Sequence, residues 1–127
     1  MHENHKDFGA YGEKKAREYL LARGYYLREK NFRIPHGEID IIMEDPDGVI
    51  VFVEVKSDRT GSAGLPESWV TPKKIRKIQK TAMVYCATNG LNNHDMRFDV
   101  VSVIAINNDL NITHIKNAFI PEANNYY

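Results

Sequence analysis

Residues 37–56 read GEIDIIMEDPDGVIVFVEVK, and this stretch decides the fold. Two aliphatic runs flank Asp45-Pro46-Asp47-Gly48. Pro and Gly break regular structure, and Asp side chains close onto their own backbone, so the tetrad reads as a hairpin turn. Strands are expected over residues 38–44 and 49–56. Ile39, Ile41, Ile42 and Met43 are apolar without clean alternation, as are residues 49–53, which is the pattern of a sheet covered on both faces.

Glu38, Asp40, Glu54 and Lys56 stand inside these runs. An uncompensated charge in an apolar strand is expensive, and a divalent metal with a phosphate would compensate this set. Folding the hairpin about its turn sets Asp40 level with Glu54, to within a residue or two of register. Side chains share a face every second residue, which pairs Glu54 with Lys56 and Glu38 with Asp40. Asp40, Glu54 and Lys56 can then converge. Residues 8–23 read as a helix with Gly9, Gly12, Ala16, Tyr19 and Leu20 on one side, stopped at Arg23-Gly24. Glu13 projects close to that side and joins the acids if the helix covers their face.

Further along, residues 25–31 are expected as a strand and residues 31–37 as a connection broken by Pro35 and Gly37. Residues 57–69 are rich in Gly, Ser, Thr and Pro and read as a mobile loop. Thr71-Pro72 caps a second helix to about residue 87, ended by Asn89-Gly90. Residues 97–106 form a long strand, and Asn107-Asn108-Asp109 turns it into a last strand over 111–116. The order α-β-β-β-α-β-β describes one α/β domain of 127 residues, in two or three layers around a mixed sheet of about five strands. Residues 1–7 and 122–127 read as loose tails.

The chemistry of the acids points to Mg²⁺ or Mn²⁺. A hard ion takes oxygen ligands, typically one or two carboxylates with water and phosphate. Asp40 and Glu54 suit that task, with the Val55 carbonyl as a further ligand and Glu13 completing the shell directly or through water. Lys56 would orient the attacking water or stabilise developing charge. The competing reading is a set of ion pairs at strand ends, Lys56 with Glu54 or Asp40. Glu38 either supports the site or is solvated at a strand start. His36 either nears the metal or is exposed.

Asp40, thirteen intervening residues and Glu54-Val55-Lys56 resemble the PD-(D/E)xK nuclease signature. The longer strings, with Gly12-Glu13, Asn31-Phe32-Arg33 and Arg97-Phe98-Asp99-Val100-Val101, resemble the bacterial YraN family of endonuclease-like proteins over roughly residues 8–116. The resemblance implies a restriction-endonuclease-like core, similar to archaeal Holliday-junction resolvases, which act as dimers on branched DNA. It carries the helix glutamate, strand aspartate and ExK pair onto Glu13, Asp40, Glu54 and Lys56. Two positions depart from it: Asp58 stands where a basic residue is usual, and Ala63-Gly64 where an aromatic precedes the glycine.

Lys73, Arg76, Lys77 and Lys80 fall on one stripe of the second helix, opposite Ile75, Ile78, Ala82 and Cys86. The stripe is a phosphate-contacting surface or an ordinary solvated face. Arg33 and Arg59 flank the acids and could add phosphate contacts. Trp69 and Tyr11 are base-stacking or packing residues. Asp99 supports the site or pairs with Arg97 on its own strand face. No useful ligand spacing involves His94 or His114, and Cys86, the single cysteine, belongs to the core.

Lys plus Arg and Asp plus Glu number 17 each, for zero net charge, which is unusual for nucleic-acid binding unless the cations cluster while acids hold a metal. One cysteine excludes an intrachain disulfide. No apolar run approaches the roughly 18 residues of a membrane span, and a cytoplasmic protein is expected. The leading expectation is a Mg²⁺-dependent endonuclease acting on nucleic acid, with DNA and branched DNA foremost. The alternatives are a non-cutting nucleic-acid-binding module of nuclease ancestry and a homodimeric interaction protein.

Overall fold

In the computed structural model, which describes residues 5–59 and 71–119, the hairpin forms as its sequence directs. Strands β2 (Gly37–Glu44) and β3 (Ile50–Asp58) pair antiparallel, with Ile41 opposite Val53 and Glu44 opposite Ile50. Asp45 organises the turn: its Oδ1 accepts from the N–H groups of Asp47 and Val49, both at 2.9 Å. Gly48, at φ 88°, supplies the left-handed residue the turn needs.

Helix α1 (His5–Leu21) precedes β1 (Tyr26–Ile34), and α2 (Pro72–Thr88) leads into β4 (Met96–Ile106) and β5 (Asp109–Ile115). The five strands lie in sequence order, antiparallel except for the parallel pair β3–β4. That parallel step requires a crossover, which α2 provides. The two helices pack on opposite faces. Ala16 and Leu20 of α1 pack with Ile41, Met43, Val51, Val53, Val101 and Val103. Ile78, Ala82, Tyr85 and Cys86 of α2 pack with Ile39, Ile42, Ile50, Phe52 and Phe98. The arrangement is a three-layer sandwich, in keeping with the expected order and with strands apolar on both faces.

Several boundaries differ from the sequence reading, among them the end of β3, which runs on through Ser57 and Asp58 where a loop is expected. Strand β1 continues through residues 31–34, because Pro35 and His36 alone make the turn, with Ile34 paired to Gly37. His36 takes the positive φ of 65° that this turn demands. Strand β5 starts at Asp109, since Asn107 and Asn108, at φ 52° and 68°, form a two-residue hairpin loop. Helix α1 begins at His5, so residues 5–7 are helical. Residues 1–4, 60–70 and 120–127 lie outside the described residues, and with them most of the expected loop, Trp69 and the expected C-terminal tail. Helix α2 is capped as expected, Thr71 Oγ1 accepting from the Lys74 N–H at 3.2 Å.

Two glycines set the helix–sheet spacing. A Cβ on Gly12 would collide with Ser57 of β3, and one on Gly37 with Thr81 Oγ1 of α2. Thr81 is fully buried and its hydroxyl donates to the Lys77 carbonyl at 2.7 Å, so it cannot swing aside. Gly37→Ala is expected to lift the β1–β2 hairpin from α2 and to cost about 1–3 kcal/mol, the range for overpacking. Urea denaturation measures it, and an unchanged midpoint would show that the contact has slack.

Candidate metal and nucleic-acid site

The β2–β3 ladder ends at Ile41–Val53. One step further along both strands stand Asp40 and Glu54, level as the hairpin register requires. The strands part there. Ile41 belongs to the α1-side core and Ile39 to the α2-side core, so the two-residue alternation of β2 breaks at Asp40. Asp40 Oδ2 accepts from the Val55 N–H at 2.8 Å, so a side chain bridges the gap where the backbone ladder has opened. Strand β3 keeps its alternation: Val51 and Val53 face α1, Phe52 faces α2, and Glu54 lines a groove against α2.

The electrostatics of this pair are costly without a counter-ion. Burial, then the Asp40 carboxylate, push the Glu54 pKa up to about 8. Asp40 is raised too, by burial first and Glu38 next, against the lowering effect of the Val55 N–H. Glu13 is raised by burial and then by Asp40 and Glu38. It reaches the acids from the α1 side, whereas Glu54 faces α2; the helix that covers Glu54 is the second, not the first. Glu54 Oε1 is buried with no hydrogen-bond partner, a state that asks for an explanation, and a bound ion would supply one.

Among the described residues, no group of three or more His, Cys, Asp and Glu side chains gathers as a metal cage. Two carboxylates with a backbone carbonyl nearby are instead the donor set of a site completed by water and substrate phosphate, the usual manner of Mg²⁺. The residues present therefore fit such an ion: hard oxygen donors, mutual repulsion that a cation relieves, and one orphaned oxygen.

The remaining residues distribute as follows. Lys56 is exposed, two residues beyond Glu54 on the same strand. Glu38 pairs with Arg33, its cross-strand neighbour, at 3.4 Å, and both line the groove with His36. Of the stripe on α2, Lys73, Arg76, Lys77 and Lys80 are all exposed, but only Lys77 lines the groove. Arg59 lies over the Phe8 ring, 5.4 Å from its centroid. Tyr11 also neighbours Phe8, ring centroids 6.0 Å apart.

None of the hydrogen bonds of Asp99 goes to Asp40 or Glu54. Asp99 is fully buried on the α1 face, bound by Arg97 Nε at 2.9 Å, His114 Nε2 at 2.7 Å and the Asn117 N–H at 3.0 Å. Burial alone would raise its pKa; the bonds from His114 and Arg97 outweigh that, and the net shift is downward. The pairing with Arg97 is the account met here. His114, set aside on spacing, acquires its partner because the β4–β5 register places it opposite Val101. Folding that hairpin about Asn107-Asn108 would have disclosed it.

Lys74 falls outside the stripe that the sequence marks. It lines the groove beside Glu54, and its charge acts on Asp40 and Glu54 alike. Its signal was available: Lys74 precedes the buried Ile78 by four residues, hence lies on the edge of the packed face rather than in the outward stripe.

A helix on each face of a mixed sheet, with two carboxylates where its central hairpin parts, defines an α/β protein with a closely set acidic pair. The sequence model of the uncharacterised protein family UPF0102 matches residues 12–103, and the chain belongs to that family. The UPF0102 protein of Persephonella marina is 50% identical over 111 residues, covering 87% of this chain and 91% of that protein. That of Clostridioides difficile is 46% identical over 116 residues, 91% of this chain and 99% of the relative. A crystal structure of a repair endonuclease from Pyrococcus abyssi aligns with a TM-score of 0.43 at 15% identity, over 85% of this chain and 41% of that one; this chain thus spans less than half of that structure. No helix among the described residues is long and apolar enough to cross a membrane.

Proposed function

We propose that this chain is a divalent-cation-dependent endonuclease with a restriction-endonuclease-like core, and that its substrate is DNA, branched DNA foremost. The observation that carries the reading is the half-buried Asp40–Glu54 pair at the parting of β2 and β3, with the buried Glu54 Oε1 lacking a hydrogen-bond partner. Nothing else in the fold requires two acids at that cost. The carboxylates whose pKa is raised, Glu13, Asp40 and Glu54, are the acids of this site, whereas Asp45 and Asp99 are lowered by their partners.

Asp40 and Glu54 would hold Mg²⁺ or Mn²⁺ with the Val55 carbonyl, and Glu13 would reach the shell through a bound water from the α1 side. When bound, the ion supplies an acidified water and neutralises charge on the phosphoryl oxygens. Lys56 orients the nucleophilic water or stabilises the charge that develops on the phosphate. The Val55 N–H fixes the Asp40 carboxylate before substrate arrives, so the ligand pair needs little reorganisation. Cytoplasmic location and dimerisation on a branched substrate belong to the same proposal.

Linear, branched and single-stranded DNA, and RNA, incubated with Mg²⁺ or Mn²⁺ beside a Glu54→Ala control, test it. Cutting of DNA by the wild type alone is expected. Cutting that persists in the variant would mean contamination and sink the reading. Binding without cutting would transfer the chain to the non-cutting module, and neither activity to an interaction protein.

A further inference from the structure

Helix α2 presents two rows of cations, and they do different things. Lys73, Arg76 and Lys80 point outward. Lys74, Lys77 and Thr81 form a second row, at spacings of three and four residues, on one edge of the helix. Thr81 is pinned against Gly37, so this row faces the β1–β2 hairpin. The space between is a groove of about 520 Å³, lined by Arg33, His36, Glu38, Glu54, Lys74 and Lys77 among others. Its charges are lopsided. Glu38 is spent on Arg33 at 3.4 Å, Glu54 is the site acid, and among the described residues no carboxylate stands at ion-pair distance from Lys74 or Lys77. Unpaired lysines beside an orphaned carboxylate oxygen describe a place for an anion bridging to a cation.

We propose that this groove seats the phosphates of the strand being cut, Lys74 contacting the phosphate that a cation would hold beside Asp40 and Glu54, and Lys77 with Arg33 contacting the adjoining one. The proposal rests on the nuclease reading above and adds to it the inner row, which separates local grip on one strand from the general attraction of the outer stripe. A lysine is a point charge with three donors, so Lys74 adapts to a phosphate whose geometry changes during reaction.

The test uses the Glu54→Gln protein, in which binding is read without cutting. Labelled branched and single-stranded DNA are titrated at several salt concentrations against Lys74→Ala, Lys77→Ala, Lys74→Arg and a remote control, Lys14→Ala. Each inner-row alanine is expected to weaken binding about fivefold and to lower the slope of log affinity against log salt by about one. Lys74→Arg restores the slope and Lys14→Ala leaves both quantities unchanged. In the protein with Glu54 intact, Lys74→Ala lowers kcat while Lys77→Ala raises KM. Unchanged affinity, slope and kinetics in both inner-row variants, in a wild type that cuts, would overturn the groove assignment and leave the nuclease reading standing. A wild type that neither binds nor cuts nucleic acid would overturn both.

Discussion

Replacing Glu54 by Gln is expected to cripple cleavage and, at the same time, to make the metal-free protein more stable at pH 8. The loss in rate should be at least about 10²–10³-fold, the equivalent of the several kcal/mol that a correctly held ion contributes. The gain in stability has a separate cause. The Glu54 pKa is raised from 4.5 to about 8 in the folded chain, by burial and by Asp40. Above pH 4.5 the unfolded chain ionises Glu54 while the folded chain still holds its proton, so the stability of the wild type falls as pH rises towards 8. Gln keeps the side-chain volume and carries no charge, so the variant escapes that fall. Its advantage should be absent near pH 4.5 and reach about 1–3 kcal/mol by pH 8. Thermal melts across this window without metal would show it. Adding Mg²⁺ or Mn²⁺ reverses the order: at a hundredfold excess over Kd the wild type gains about 2.7 kcal/mol and the variant far less. A variant that melts with or below the wild type throughout would mean that Glu54 is not a strained acid.

The second large effect lies away from the site. Arg97 is the hub of a buried polar cluster: Nε and Nη2 bond Asp99 at 2.9 and 3.0 Å, Nη1 bonds Asp45 at 3.0 Å, and Nη2 also bonds the Tyr25 hydroxyl at 2.9 Å. Arg97→Ala takes the guanidinium from two carboxylates and a hydroxyl, leaving Asp45 only its turn N–H groups and Asp99 only His114 and the Asn117 N–H. Removing one partner of a buried ion pair typically costs about 3–5 kcal/mol, a large part of the roughly 5–15 kcal/mol that holds a domain together. Urea denaturation is expected to register that loss at pH 7. The pH dependence runs opposite to that of Glu54. Asp99 and Asp45 are held below their ordinary range, so their contribution is present above about pH 4 and is lost as pH falls through the lowered values. The deficit of Arg97→Ala should therefore shrink in acid. A change below about 1 kcal/mol at pH 7 would mean that the cluster relaxes around the gap.

These two clusters also mark how far local sequence could carry the reading. The hairpin around Asp45–Gly48 uses turn chemistry contained in four residues, and once it is placed, Asp40 and Glu54 must be neighbours. The caps of α2 and the burial of Ile78, Ala82 and Cys86 are likewise local. What escaped depends on docking. Asn31, Pro35 and His36 read as loop residues, yet pairing with β2 holds residues 31–34 in a strand despite φ 52° at Asn31. The face that α1 covers follows from the close approach of Gly12 to Ser57, two residues 45 apart in sequence. Lys74 acquires its place only when Thr81 meets Gly37 and turns that edge of α2 towards the acids. His114 reads as solitary because its partner, Asp99, lies across a hairpin whose turn has two residues where the sequence suggests three.

Calorimetric titration of Mn²⁺ or Mg²⁺ into the wild type, Asp40→Asn, Glu54→Gln and a surface control, Glu18→Gln, at pH 8 bears most directly on the acidic pair. The wild type and Glu18→Gln should bind one ion per chain with release of protons, because the ion displaces the proton that burial leaves on Glu54. Each site variant should lose roughly tenfold or more in affinity. Equal affinity in all four proteins, or no binding in the wild type, would contradict the assignment of Asp40 and Glu54 as a metal site.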